Sequence, residues 1–202
     1  TGAGGISFCA GADLKSTQSM AGRLMSREGP MGFTRLTASK PTIAAISGFC
    51  LAGGLELALW CDLRIATESS TFGYPERRWG VPLIDGGTQR LPRIVGLGRA
   101  LDLILTGRMV GTKEALEMGL LSEVVPAGAH LERAVALGEG LAGFPQRTML
   151  ADRRAAIEGL GMTLQEGLAL EAKAGPEVFA EGAEGAARFA AGAGRGGAGA
   201  GA

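Results

Sequence analysis

The 202-residue sequence has little of what several functional classes require. It contains one histidine, His130, which leaves no histidine-rich metal site and makes any Ser-His-Asp or Cys-His triad depend on that residue. The three cysteines, Cys9, Cys50 and Cys61, stand in apolar stretches without paired or zinc-ligand spacing. We therefore expect no bound metal, and buried thiols typical of a reducing, cytoplasmic compartment.

The sequence also lacks net charge and long apolar runs. Its 20 basic and 20 acidic residues cancel, so overall charge favours neither nucleic acid nor an anionic membrane as a partner. The longest uncharged run, residues 41–55, is interrupted by glycines and shorter than the ~20 apolar residues of a membrane-spanning helix. We expect no nucleic acid and no membrane among its partners.

Hydrophobic residues make up 46% of the chain, enough for one main domain with a buried core. Residues 42–47 (TIAAIS) form an apolar run that is too short for a helix, which predicts a strand buried on both faces. Two glycines and the helix-forming sequence LELALWC follow, at residues 55–61. Residues 12–25 are predicted to be a polar helix, and Thr112 is predicted to cap a short helix.

The second half of the chain is predicted to be helical. From about Leu131 onward only helical patterns occur, and a capping box from Thr163 to Glu166 predicts a helix of about 15 residues. The tail from Gly182 is mostly glycine and alanine, and its final residues are expected to be mobile. The order of elements therefore favours a mixed α/β fold with a helical end.

The segment Gly53-Gly54 is a candidate anion site, because it joins a predicted strand to a predicted helix. Glycines let a ligand approach the main chain, and the first N–H groups of a helix are unpaired at the positive end of its dipole. One such donor to a developing oxyanion is worth roughly 3 kcal/mol in a transition state. Glu56 lies in the first helical turn, where it is either a functional acid or simply a favourable helix-start residue; spacing alone does not choose.

Glu76 ends the extended segment Tyr74-Pro75-Glu76, directly before Arg77 and Arg78. By itself, this position predicts an exposed loop carboxylate paired with a neighbouring arginine. Its alternative interpretation, as a second catalytic acid, depends on the surrounding motifs.

Those motifs resemble the crotonase superfamily, the enoyl-CoA hydratase/isomerase family. The resemblance covers most of the chain and consists of several segments in the family's order and spacing. They are residues 8–15 (FCAGADLK), 40–48 (KPTIAAISG), 52–58 (AGGLELA), 61–62 (CD), 72–76 (FGYPE), 86–91 (GGTQRL) and 115–126.

The resemblance implies a core of repeated β-β-α turns arranged as a spiral, over residues 1–128, and a C-terminal helical region over residues 129–202. In the family that helical region joins subunits into homotrimers or dimers of trimers. Family members carry strands before the position of Thr1, so the sequence given is expected to lack the first turn of the spiral.

The resemblance also implies an active site. The family binds the thioester oxygen of an acyl-CoA with two main-chain N–H groups, which fall on Ala10 and Gly53. The two glutamates of the family's hydratases fall on Glu56 and Glu76. Glu56 would activate the water molecule and Glu76 would protonate the substrate.

Contacts with CoA are expected from the loop after the first strand, and acyl contacts from residues 16–39. Candidates for the CoA phosphates in the last helix are Arg188 and Arg195. The loop candidates are Ala10, Ala12, Asp13, Leu14 and Lys15.

The activity implied is that of an enoyl-CoA hydratase, a lyase of fatty acid metabolism that adds water across the C2=C3 bond of a 2-enoyl-CoA. No cofactor is implied, since CoA is part of the substrate. Two alternatives stay open: an enoyl-CoA isomerase that uses Glu76 alone, and a non-catalytic acyl-CoA-binding subunit.

Overall fold

The computed structural model describes residues 1–16 and 21–194 and confirms a mixed α/β fold. The predicted strand at residues 42–47 is present as β2, and three of its four residues are buried. Its uninterrupted apolar sequence, Ile-Ala-Ala-Ile, fits a strand that is covered on both faces. The strands are β1 Ser7–Cys9, β2 Ile43–Ile46, β3 Phe49–Leu51, β4 Leu63–Thr67, β5 Thr71–Gly73, β6 Met109–Gly111 and β7 Glu123–Val125.

The strands form two sheets. One has the order β1-β3-β5-β6 and the other the order β2-β4-β7, and all pairs are parallel except β5 with β6. Cys9 of β1 pairs with Cys50 of β3. Because parallel neighbours end at the same edge of a sheet, the loops that follow β1 and β3 lie side by side.

Helices cover this first unit, which comprises residues 1–135. They are α1 Gly53–Trp60, α2 Gly87–Val95, α3 Leu97–Thr106, α4 Thr112–Glu117 and the start of α5 His130–Ala142. The helix predicted at residues 55–61 is confirmed and begins at Gly53. Its Leu55 and Ala58 are fully buried in a core with Phe72, Leu91 and Leu103.

Two local predictions differ from the structure. Residues 12–25 contain short 3-10 turns at Leu14–Ser16 and Ala21–Arg23 instead of a helix of the predicted length, and residues 17–20 lie outside the described part. Thr112 is not the cap of α4; Gly111 takes that position. The Thr112 hydroxyl instead donates to the carbonyl oxygens of Thr67 and Ser70, both at 3.0 Å.

The second unit begins at Ala136 and is helical where it is described. Besides the rest of α5 it contains α6 Gln146–Glu158 and α7 Leu164–Ala190. The capping box at Thr163 and Glu166 is confirmed, but α7 has 27 residues and runs into the Gly/Ala tail. Alanine has the highest helix propensity, which supports this extension. Residues 195–202 lie outside the described part.

Within residues 1–16 and 21–194, no helix has both the length and the apolar character needed to cross a bilayer.

Candidate active site

A cleft of about 440 Å³ in the first unit brings together most of the predicted site residues. Its walls come from the loop after β1, the start of α1, the Pro75–Trp79 3-10 helix and the loop before α2. Lys15 does not belong to the lining. The predicted residues that do are Ala10, Ala12, Asp13, Leu14, Gly53, Glu56 and Glu76.

The turn from β3 into α1 forms one wall of the cleft. Ala52 has φ 53° and ψ −130°, and among the described residues it is the one non-glycine with a positive φ. Such a conformation costs about 1–3 kcal/mol for a residue with a side chain, so the surrounding structure must hold it. The turn presents Gly53 as the first residue of α1, where the main-chain N–H has no partner inside the helix.

The loop after β1 lies against this turn. Gly11 has φ +89°, and a Cβ atom there would lie 2.9 Å from the Gly53 nitrogen. A Cβ on Gly54 would lie 1.9 Å from the Cys9 carbonyl oxygen, so glycine is required at that close approach. The structure thus places Ala10 and Gly53, the two candidate oxyanion donors, on adjoining loops of one cleft.

Glu56 is buried on α1, with 3% of its surface exposed. Its Oε1 accepts hydrogen bonds from the main-chain N–H groups of Gly87, at 2.7 Å, and Asp85, at 3.0 Å. Burial raises the pKa of Glu56 to about 7, although these two hydrogen bonds act in the opposite direction. Glu56 therefore exchanges a proton near neutral pH, as a general base does.

Glu76 is also buried, with 6% of its surface exposed, so the expectation of an exposed loop carboxylate is wrong. Arg77 does not pair with it; the Arg77 Nε donates to the Ile104 carbonyl oxygen at 3.3 Å. Within the described part of the chain neither carboxylate oxygen of Glu76 has a hydrogen-bond partner. Burial raises its pKa above the ordinary value, which favours the protonated form.

Two further polar groups lie around Glu56 and were not predicted. The Tyr74 hydroxyl is buried without a partner in residues 1–16 and 21–194, and a Cβ on Gly87 would lie 2.7 Å from it and 3.0 Å from Glu56 Oε1. Asp85 lines the cleft and is 4% exposed. A signal for Asp85 is present in the sequence, since it is the one charged residue between Gly80 and Gln89.

The basic residues predicted to contact CoA, Lys15, Arg188 and Arg195, are not among the described lining residues of the cleft. Lys15 is exposed, and its main-chain N–H donates to Asp13 Oδ1 at 2.9 Å. Arg188 lies in the last turn of α7, in the second unit. Arg195 lies outside the described residues.

Comparison with known proteins gives a consistent result. The sequence matches the enoyl-CoA hydratase/isomerase family over residues 1–191. It is 43% identical, over 190 residues, to a probable enoyl-CoA hydratase of Rhizobium meliloti, covering 91% of this chain and 73% of that protein. It is 38% identical to the short-chain-enoyl-CoA hydratase of Clostridium acetobutylicum, covering 89% and 70%.

A solved structure agrees with these sequence relatives. The crystal structure of an enoyl-CoA hydratase from Mycobacterium marinum superposes with a TM-score of 0.87 at 38% identity, covering 94% of this chain and 75% of that one. The sequence match extends over nearly the whole chain and the fold agrees, so the chain belongs to the enoyl-CoA hydratase/isomerase family.

Proposed function

We propose that this protein is an enoyl-CoA hydratase, which adds water across the C2=C3 bond of a 2-enoyl-CoA thioester. The observation that carries the proposal is the meeting of two buried carboxylates, Glu56 and Glu76, with the Gly53 turn in one cleft. Hydration needs a group that accepts a proton from water, a group that donates a proton to C2, and hydrogen-bond donors to the thioester oxygen.

Main-chain N–H groups supply the hydrogen bonds to the thioester oxygen. Attack at C3 moves electron density onto the thioester oxygen, which gains enolate character. The Gly53 N–H at the start of α1 and the Ala10 N–H on the adjoining loop are assigned as the donors to that oxygen, supported by the presence of both residues in the cleft lining. Because these dipoles are fixed by the strained Ala52 turn and the β1–β3 pairing, they need no reorganisation during the reaction.

Glu56 is assigned the role of base. Its Oε1 already accepts two main-chain N–H groups, so Oε2 is the oxygen that takes a proton from water. A pKa of about 7 makes a substantial fraction of Glu56 ionised at neutral pH. The resulting hydroxide adds to C3.

Glu76 is assigned the role of acid. Burial without a hydrogen-bond partner in the described residues favours its protonated form, which can deliver the proton to C2. After one turnover Glu56 has gained a proton and Glu76 has lost one, so a proton transfer between them, directly or through solvent, restores the starting state. Each carboxylate is expected to contribute about a hundredfold or more to the rate.

The remaining features of the proposal concern substrate and assembly. The main chain of residues 10–14, in the cleft wall, would hold the CoA part of the substrate, and no other cofactor is required by this chemistry. We also propose a homotrimer or a dimer of trimers, supported by exposed apolar side chains on α7 of the C-terminal helical region, namely Leu164, Leu168, Phe179 and Phe189. Three free cysteines support a reducing, cytoplasmic location.

The test is to mix the purified protein with crotonyl-CoA and follow the ultraviolet band of the enoyl thioester. A hydratase removes the band and forms 3-hydroxybutyryl-CoA. An unchanged band, together with double-bond migration in a 3-enoyl-CoA, would support an isomerase that uses Glu76 alone. No turnover of any acyl-CoA, despite binding, would support the non-catalytic subunit.

A further inference from the structure

The cleft contains a third buried carboxylate that the proposed chemistry does not use. Asp85 precedes α2 and lines the cleft with 4% of its surface exposed. Its Oδ1 accepts a hydrogen bond from the Met31 main-chain N–H at 3.1 Å and another from the Thr34 hydroxyl. These donors are 54 and 51 residues away in the sequence, so Asp85 joins two distant parts of the chain.

The segment that Asp85 holds, residues 29–34, is here called the wall segment. Its Pro30 and Met31 line the cleft, and the Met31 sulfur lies 3.6 Å from the position of a Cβ on Gly53. The segment forms no regular helix or strand, and Gly29 and Gly32 both have positive φ angles. Local turn hydrogen bonds, such as that from the Gly32 N–H to the Gly29 carbonyl oxygen, shape the segment, and the bonds to Asp85 attach it to the loop before α2.

The main chain of Asp85 contacts the proposed base. Its N–H donates to Glu56 Oε1 at 3.0 Å, and its carbonyl oxygen accepts from Arg90 Nη1 at 2.9 Å. Arg90 also donates to the carbonyl oxygen of Thr34. One residue thus touches both the wall segment and the proposed base, and Arg90 of α2 donates to the main chain of both Asp85 and Thr34.

We propose that Asp85 is a positioning residue that fastens the wall segment to Glu56, so that the acyl group and the base are held in one geometry. The inference rests on the proposed function for the role of Glu56. A thioester bound at Gly53 with C3 near Glu56 would lie against Met31, because the Met31 sulfur is close to Gly53 and the Met31 N–H binds Asp85, whose own N–H binds Glu56. Longer acyl groups touch more of this wall, so their binding and turnover depend more on the bonds to Asp85.

The test uses Thr34→Val, because Thr34 is buried and does not line the cleft. This change removes the hydroxyl that binds Asp85 and leaves Glu56, Met31 and Asp85 in place. We expect the ratio of kcat/KM for 2-decenoyl-CoA to that for crotonyl-CoA to fall about tenfold, the effect of one lost hydrogen bond to a buried carboxylate. Thr34→Ser, which keeps the hydroxyl, should restore most of the ratio.

Changes at Asp85 itself give a second measurement. Asp85→Ala removes the acceptor, and we expect kcat to fall for both substrates, by more than tenfold for the longer one. Asp85→Asn keeps an oxygen that can accept from Met31 and Thr34, so it should recover the acyl preference.

A matched control is present elsewhere in the chain. Thr42 and Asp62 form another threonine–aspartate hydrogen bond, at 3.0 Å, and neither residue lines the cleft. Thr42→Val should change stability without changing the ratio between long and short substrates. The proposal is overturned if Thr34→Val behaves like this control, or if Asp85→Ala lowers kcat by one factor for every chain length.

Binding of saturated thioesters separates this proposal from the proposed function. Calorimetry with butyryl-CoA and decanoyl-CoA needs no turnover. If the protein binds both but hydrates nothing, the proposed function fails, while a roughly tenfold weaker relative affinity of Thr34→Val for decanoyl-CoA still supports the role of Asp85. An unchanged affinity ratio would overturn that role.

Discussion

The two glutamates of the cleft are both buried but differ in the hydrogen bonds that their carboxylates accept. Glu56 projects from α1 and accepts two main-chain hydrogen bonds on one oxygen. Glu76 lies on a 3-10 helix, and neither of its oxygens is hydrogen-bonded within the described residues. Burial raises the pKa of both; the Gly87 and Asp85 N–H groups oppose this at Glu56 and hold its carboxylate in place, whereas the nearby Arg77 charge opposes it at Glu76.

Because of this difference in hydrogen bonding, we assign Glu56 the role of base and Glu76 the role of acid. A carboxylate that keeps donors can lose its proton near neutral pH without losing its position, which suits a base. The Glu76 carboxylate has no hydrogen-bond partner among the described residues and burial raises its pKa, which favours the protonated form and suits an acid. The difference between the two glutamates therefore predicts a difference in function, which variants of each glutamate can test.

The largest expected effects come from removing either carboxylate. Glu56→Gln and Glu76→Gln keep the side-chain shape and should each lower kcat for crotonyl-CoA hydration by about a hundredfold or more. Steady-state kinetics of the two variants measure this loss. Full hydration activity of Glu56→Gln would show that another group activates the water and would contradict the assignment of Glu56 as the base.

Stability should also distinguish Glu56 by its pH dependence. Its pKa is about 7 in the folded protein and 4.5 for the unperturbed group, so the unfolded chain loses that proton first as pH rises. The stabilisation present below pH 4.5 is lost between pH 4.5 and about 7, at a cost on the order of 3 kcal/mol. Glu56→Gln should therefore be more stable than the wild type at pH 8 and similar to it at pH 4, in denaturant unfolding.

A control with the opposite sign is available at Glu166. Hydrogen bonds from the Thr163 main-chain N–H and hydroxyl lower its pKa, so its ionised form stabilises the folded state above the unfolded pKa. Glu166→Gln should lose stability at pH 8. Equal behaviour of the Glu56 and Glu166 variants would contradict the assignment of a raised pKa to Glu56.

The contact between Glu56 and α2 can be disturbed without touching the carboxylate. A Cβ on Gly87 would lie 2.7 Å from the Tyr74 hydroxyl and 3.0 Å from Glu56 Oε1. We expect Gly87→Ala to displace Glu56, lower kcat about tenfold and cost ~1–3 kcal/mol of stability through overpacking. Gly98→Ala in α3 is the matched control, because nothing lies within 4 Å of its Cβ. Equal kcat values for Gly87→Ala and Gly98→Ala would show that catalysis does not depend on the contact between Gly87 and Glu56.

The smallest effect is expected at Ala52, in the turn from β3 into α1. Ala52 has φ 53°, and Ala52→Gly should relieve strain while adding freedom to the unfolded chain. The net gain in unfolding free energy should be about 1 kcal/mol. Thermal unfolding measures the gain. A loss of stability would mean that the alanine methyl group packs usefully in the turn.

The sequence allowed local features to be predicted well. The short apolar run at β2, the glycine turn before α1 and the capping box at Thr163 each depend on neighbouring residues, and the structure confirms them. The family motifs made the two glutamates candidates for catalysis, whereas spacing alone could not separate Glu56 from a favourable helix-start residue or Glu76 from a loop carboxylate. The burial of Glu76 was missed because its immediate neighbours, Arg77 and Arg78, indicate solvent.

The features that could not be predicted depend on distant contacts. Asp85 binds Met31 and Thr34 across more than fifty residues of sequence, and no local pattern signals such a pair. Residues 12–25 look helical by composition, yet the described parts form short 3-10 turns. Local propensity is weak where tertiary contacts decide the conformation.

The most direct test of the division between acid and base is hydrogen exchange at C2 of butyryl-CoA in deuterated water. This saturated thioester cannot be hydrated, so exchange requires the group that acts at C2 and the oxyanion donors, but no activated water. We predict that Glu56→Gln retains exchange within about tenfold of the wild type, whereas Glu76→Gln loses it by a hundredfold or more, as followed by NMR. Exchange that survives in Glu76→Gln and disappears in Glu56→Gln would contradict the assignment.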